Sequence, residues 1–176
     1  MSDQPRPLST GEAAEILRAT GAALAEELQG LPEALLNWQP GPDEWCIKEA
    51  LGHLIESERR GFAGRIRTIL AEQAPQFSAW DPPAVARARR DHQRDLADLL
   101  EEFGHLRTAS VALVAGLSDA DLARGGQHPV VGYLRVSDLL HEWIHHDRTH
   151  IRQMQAVAQA YVWPHMGNAQ RFSSPT

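Results

Sequence analysis

Cysteine is all but absent from these 176 residues: Cys46 stands alone, so no disulfide can close within the chain and a cysteine-based zinc cluster is excluded. A metal, if held, must use histidine and carboxylate. Also missing is any run approaching the ~18 apolar residues that a membrane span needs. The N-terminal MSDQPRPLSTGEAAE lacks the basic-then-apolar order of a secretory signal. A cytoplasmic protein with no membrane partner is the expectation. Lysine is scarce and the net charge is −6, with arginine interspersed among carboxylates. Nucleic acid is therefore not an expected partner, and the stretch ARARRDHQRD reads as a solvated helix face. Strand-like alternation is lacking throughout.

What remains is helix, in four long stretches separated by segments rich in Pro, Gly and Asp. The first runs from about Gly11 to Gly30, capped by Ser9 or Thr10, with Ile16, Leu17, Leu24 and Leu28 at helical spacing. The connection LPEALLNWQPGPDEW follows, in which Trp38 and Trp45 are expected to pin the loop. The second stretch runs from about Ile47 to Glu72 with a broad apolar face. Its other side is a strip of small residues around one histidine: Ala50, His53, Ser57, Gly61 and Gly64. The third runs from about Ala84 to Gly116, and a loop from Leu117 to Val136 leads to the fourth. That last helix is capped by Ser137 and bounded by Pro164. The pattern predicts an all-α four-helix bundle with long connections, one domain over residues 1–164, and a loosely held tail at 165–176.

Chemistry concentrates in the fourth stretch, LLHEWIHHDRTHIRQM. At ~100° per residue, Leu139, Leu140, Trp143, Ile144, Ile151, Met154 and Val157 share one arc. His150 falls within the arc and His146 beside it, one helical turn away, while His141 and His145 turn toward solvent. Two imidazoles aimed together would repel if protonated, whereas a shared metal keeps both neutral. His53 lies off the main apolar face of its helix, yet its small neighbours suit a close approach. Glu142 and Glu58 are candidate hydrogen-bond acceptors for the ligating rings or extra ligands. A di-iron carboxylate centre needs two Glu-x-x-His pairs, and only Glu142 with His145 is present. A zinc-protease reading is rejected as well.

The phrases NWQPGPDEWCIKEALGHLIESERR and GQHPVVGYLRVSDLLHEWIHHDRTHIRQM resemble the DinB-like superfamily over nearly the whole chain. The landmarks are the Trp before the second helix, the His of GHL, the Glu five residues on, and the closing H-x-x-x-H-x-x-Q. The resemblance implies a four-helix bundle holding a divalent metal, usually nickel or zinc, through three histidines, matched here by His53, His146 and His150. Where the family commonly has Ser after the tryptophan, Cys46 stands, a poorer helix cap. The family often forms dimers, a role open to Trp80 and Trp163. Its characterised members include thiol S-transferases, so the leading expectation is a metal-dependent transferase of the bacillithiol type. Its partners would be a low-molecular-weight thiol and an electrophile, in detoxification or stress response. Arg148 and Arg152 are the candidate contacts for the anionic thiol. The alternatives are a non-catalytic metal- or ligand-binding stress protein and a metal-dependent hydrolase.

Overall fold

A serine and a glutamate three residues apart start the first helix, α1 (Thr10–Gln29). The Ser9 hydroxyl accepts from the Glu12 N–H at 3.3 Å and the Glu12 carboxylate accepts from the Ser9 N–H at 2.9 Å, which satisfies two donors that a helix start leaves open. This computed structural model describes residues 5–173; positions 1–4 and 174–176, the extremes of the expected domain and tail, lie outside them. Short α2 (Glu33–Leu36) leads to α3 (Ile47–Glu56), where Glu49 accepts from the Cys46 N–H at 3.0 Å. Cys46 is wholly buried and burial pushes its thiol up to about 11, so it packs rather than reacts.

The second stretch is not the single helix its periodicity predicts. Ser57–Gly61 form one π-turn, closed by the Phe62 N–H donating to the Ser57 carbonyl at 2.8 Å, before α4 (Ala63–Ala71) resumes. The turn holds one residue more than an α-turn and re-phases everything after it. Gly64 permits it, because a Cβ there would meet the Arg59 carbonyl oxygen at 2.2 Å.

The third stretch also divides. Helix α5 (Pro82–Arg89) ends at left-handed Arg90, a 3-10 turn spans Asp91–Gln93, and α6 (Leu96–Ala115) follows. The break lets Asp91 enter the protein against Gly52 of α3, where it receives Arg89 at 2.6 Å and Arg94 at 3.2 Å. Arg89 also reaches Glu56 at 2.7 Å and Arg94 reaches Glu102 at 2.7 Å. The arginine-rich run expected on a solvated face is thus partly an internal ion network, tying α5 to α3 and α6.

The expected loop before the last helix contains α7 (Asp119–Ala123) and an antiparallel hairpin, β1 (Gly125–His128) and β2 (Gly132–Arg135), in register Gly125 to Arg135 and His128 to Gly132. Close packing explains the glycine pair: a Cβ on Gly126 would lie 2.6 Å from the Phe77 ring. Helix α8 (Val136–Val162) begins one residue before the expected cap Ser137; the Arg135 N–H donates to Asp138 at 2.9 Å. Beyond it, exposed 3-10 turns carry the tail as far as Phe172.

The bundle helices are α1, α3 continued by α4, α6 and α8. Helix α1 packs on α6 and α8, and α3 packs on the same two, so α1 and α3 lie diagonally and the order around the bundle is α1, α6, α3, α8. Two apolar clusters fill it. One gathers Leu17, Phe62, Ile66, Ile69, Val136 and Trp143 toward the hairpin end, and the other gathers Leu28, Ile47, Leu51, Leu54, Leu99 and Met154 toward the far end. Each fully buried aliphatic side chain contributes ~1.5–3 kcal/mol of transfer free energy. Polar residues occupy the waist between the two clusters.

Candidate metal centre

Helix α3 delivers His53 and helix α8 delivers His146 and His150, and because these helices are neighbours in the bundle the rings meet. Ring centroids lie 4.9 Å apart for His53 and His146, 4.4 Å for His53 and His150, and 4.5 Å for His146 and His150. One ring nitrogen from each falls within 4.8 Å of the others, and the Nε2 atoms of His53 and His146 are 3.0 Å apart. His53 is sandwiched by Trp45 at 5.0 Å and Trp80 at 5.6 Å, while Phe62 stands edge-on to His146 at 5.2 Å. Trp45, expected to pin a loop, therefore walls the site, and Trp80, open to a dimer contact or to a core or loop-anchor role, stacks on its first histidine.

Burial in this aromatic box opposes protonation. It brings His53 down to about 4 and His146 down to about 3, with neighbouring positive charge adding to the shift, and it lowers His150 as well. At neutral pH the three rings are neutral and keep lone pairs to offer. His150 Nδ1 lies 2.8 Å from the Gln153 amide oxygen, so Nδ1 carries the proton and donates, leaving Nε2 free to ligate. Three neutral imidazoles, each with a ring nitrogen within 4.8 Å of the other two, fit a borderline-soft divalent metal. Glu58 is not one of its ligands: it is buried on the π-turn and paired with Arg107 at 2.6 Å. Glu142 is exposed on the rim near His146.

The run His141, Glu142, His145 does spell the H-E-x-x-H order of zinc proteases, and the structure sets it aside. Both histidines are exposed and turned away from the cluster, and His141 accepts from the Leu8 N–H at 3.1 Å through Nε2.

Two clefts reach the histidines from different sides. One, of about 640 Å³, has His53 and His146 in its floor and Phe62, Trp80, Leu134 and Leu139 among its walls. The other, of about 430 Å³, is lined by His150, Gln153 and Trp45 together with Gln39, Asp43, Glu44 and Arg87. The segment from Trp80 through α5 divides them, placing Pro82 in the first and Pro83 in the second. Arg148 and Arg152 are exposed and line neither cleft. Sequence reasoning missed Arg107 and Asp147. It also gave no role to Gln153, the last letter of the closing histidine motif, or to the hairpin side chain Leu134.

A profile of the DinB superfamily matches residues 16–154. The chain belongs to the DinB superfamily. It is 27% identical over 146 residues to YuaE of Bacillus subtilis, an uncharacterized protein, covering 76% of this chain and 89% of that one. It is 20% identical over 150 residues to YfiT of the same organism, described as a putative metal-dependent hydrolase, covering 85% and 84%. The solved structure of YfiT, described as having an unusual four-helix bundle topology, superposes with a TM-score of 0.80 at 20% identity over 92% of this chain and 94% of that one. The expected superfamily and four-helix fold are therefore established for this DinB protein.

Proposed function

We propose that this DinB protein is a divalent-metal-dependent thiol S-transferase in which His53, His146 and His150 hold the cation, zinc or nickel. The observation that supports transfer is the meeting of two unlike clefts at one histidine cluster. Hydrolysis asks for one organic substrate and water, whereas conjugation asks for two organic partners approaching one centre from different directions. The polar cleft beside His150 suits a low-molecular-weight thiol with its charged groups, and the apolar cleft over His53 and His146 suits the electrophile.

A cation held by three imidazoles supplies Lewis acidity and open positions, which lowers the pKa of a thiol that reaches it. The chain does the rest. Trp45 and Trp80 exclude water from the rings and Gln153 fixes the His150 tautomer. The proton lost from sulfur passes to Asp43 or Glu44, the exposed carboxylates of the polar cleft. The sulfur lone pair forms the new S–C bond as the leaving group departs with its own bonding pair as a solvated anion, and the carboxylate passes the thiol's proton on to solvent.

The resemblance to YfiT makes hydrolysis the rival reading. Both are tested on purified protein reconstituted with zinc or nickel, with metal counted by elemental mass spectrometry. Conjugation of bacillithiol or cysteine to monochlorobimane is followed by mass, and ester hydrolysis is followed without thiol. Conjugation that needs both metal and thiol, and is lost with metal in His53→Ala, His146→Ala and His150→Ala, is the expected result. Metal-dependent hydrolysis without thiol transfers the assignment to the rival, and a wild type that takes up no metal removes both.

A further inference from the structure

The apolar cleft contains an arginine that has no ion-pair partner among the described residues. Arg89, Arg94, Arg107 and Arg124, all at least partly buried, each face a carboxylate. Arg65 on α4 is half-buried too, yet among the described residues no carboxylate lies within ion-pair distance of it. Arg65 lines the same cleft as His53 and His146, while its guanidinium lies over the Phe77 ring, 5.7 Å from the centroid, at the border with a neighbouring cleft lined by Arg59, Arg60 and Phe77. Arginines without a carboxylate elsewhere, Arg148 and Arg152 among them, are exposed to water, which screens them. Water does this poorly for Arg65: burial holds its guanidinium below the ordinary value, and its charge adds to the burial that lowers nearby His128.

A half-desolvated guanidinium without a counterion is costly to maintain and gains most from an anion that brings its own apolar body into the cleft. The distance is also suitable. Twelve residues of helix separate His53 from Arg65, about 18 Å of rise, and an arginine on α4 leans back toward the helix start, shortening the span. Phe62, Leu134 and Leu139 line the space between. Asp138 and Glu142 share the rim and repel a dianion such as phosphate, which favours a single carboxylate.

We propose that Arg65 is the anion anchor of this cleft, gripping the carboxylate of a small monocarboxylate whose apolar body lies along Phe62, Leu134 and Leu139 toward the histidines. This rests on the reading of the cleft as the electrophile's site, and it places the earlier expectation for Arg148 and Arg152, recognition of an anion, on a different residue and a different substrate.

The test is calorimetric titration of the zinc-reconstituted protein with 4-phenylbutyrate and with its uncharged amide, on wild type, Arg65→Gln, Arg65→Lys and His146→Ala. Wild type binds the carboxylate about tenfold more tightly than the amide, Arg65→Gln brings the two within about twofold, and Arg65→Lys keeps part of the difference. His146→Ala, lacking the metal, retains the preference, since the carboxylate is gripped at the far end. Equal affinity of the two probes in wild type overturns the anchor, as does a preference that survives Arg65→Gln with circular dichroism unchanged. A preference lost in His146→Ala but kept in Arg65→Gln means the carboxylate sits on the metal, which also overturns it. An anchor that stands while wild type holds no zinc leaves this inference intact and removes the metal reading instead.

Discussion

Two polar centres lie at the waist of this bundle, one buried and one half-buried, and they are built on opposite plans. In the first, Arg107 of α6 donates to Asp147 of α8 at 2.7 Å and to the Leu17 carbonyl of α1 at 3.1 Å, and pairs with Glu58 of the π-turn at 2.6 Å. Ser110 donates to the other Glu58 oxygen, and Trp143 Nε1–H donates to the first at 3.2 Å. Burial raises Glu58 despite these partners, and the paired carboxylates raise Arg107 despite burial. In the second centre the histidines are neutral, two of their nitrogens face each other, and His146 Nδ1 is buried with no partner among the described residues. The first centre pairs its charges with one another, leaving Arg107 Nε without a hydrogen bond among the described residues, and holds four elements in register. The second leaves lone pairs and a nitrogen unanswered, with a cleft on either side. A closed network fixes a fold, and an open one awaits a ligand.

The largest effect should come from breaking the closed centre. Arg107→Met strands Glu58 and Asp147 as unpaired buried carboxylates, and a loss of ~3–5 kcal/mol in urea unfolding is expected. A loss under about 1 kcal/mol would show that the network is solvated and the contrast false.

Acid should separate the centres next. In metal-free protein, His53 and His146 titrate near 4 and 3 against an ordinary 6.5. Between those values the unfolded chain binds protons that the folded chain refuses, so stability is full above about pH 6.5 and falls as the pH drops toward 4. A decline on the order of 3 kcal/mol for each of the two imidazoles from pH 7 to pH 4, measured in EDTA, is expected, with a shallower slope in His146→Leu. Identical slopes in the two proteins would contradict the burial of a neutral imidazole pair.

The smallest effect sharpens the open centre alone. Gln153→Leu removes the acceptor that sets the His150 tautomer, and zinc affinity in a chelator competition should fall about tenfold while the urea midpoint stays unchanged. Unaltered affinity would mean that the ring orients itself.

The helical wheel selected His146 and His150 because helix periodicity is local, and it turned His141 and His145 outward correctly. His53 was identified by resemblance, since its side of the helix acquires meaning only when α8 lies against it. Local pattern also carried the four-helix fold and the cap at Ser9. It failed where distant groups decide: Asp91 is drawn inside by Arg89 and Arg94 and breaks the third helix, and Gly126 makes room for Phe77 and a hairpin. Arg107, Asp147 and Arg65 look like any charged helix residue in sequence. Only the assembled bundle shows which of them has a partner.

The π-turn at Ser57–Gly61 means that the count of residues, apart from their kind, is part of the design. Wound as regular α-helix with every residue kept, the segment would turn everything from Phe62 onward by about 100° relative to His53. Ile66 and Ile69 would leave the core, and Phe62 and Arg65 would leave the cleft. A single-codon deletion inside the turn is therefore absorbed by closing the bulge, whereas the same deletion in α3 would exchange inside for outside along the whole of α4.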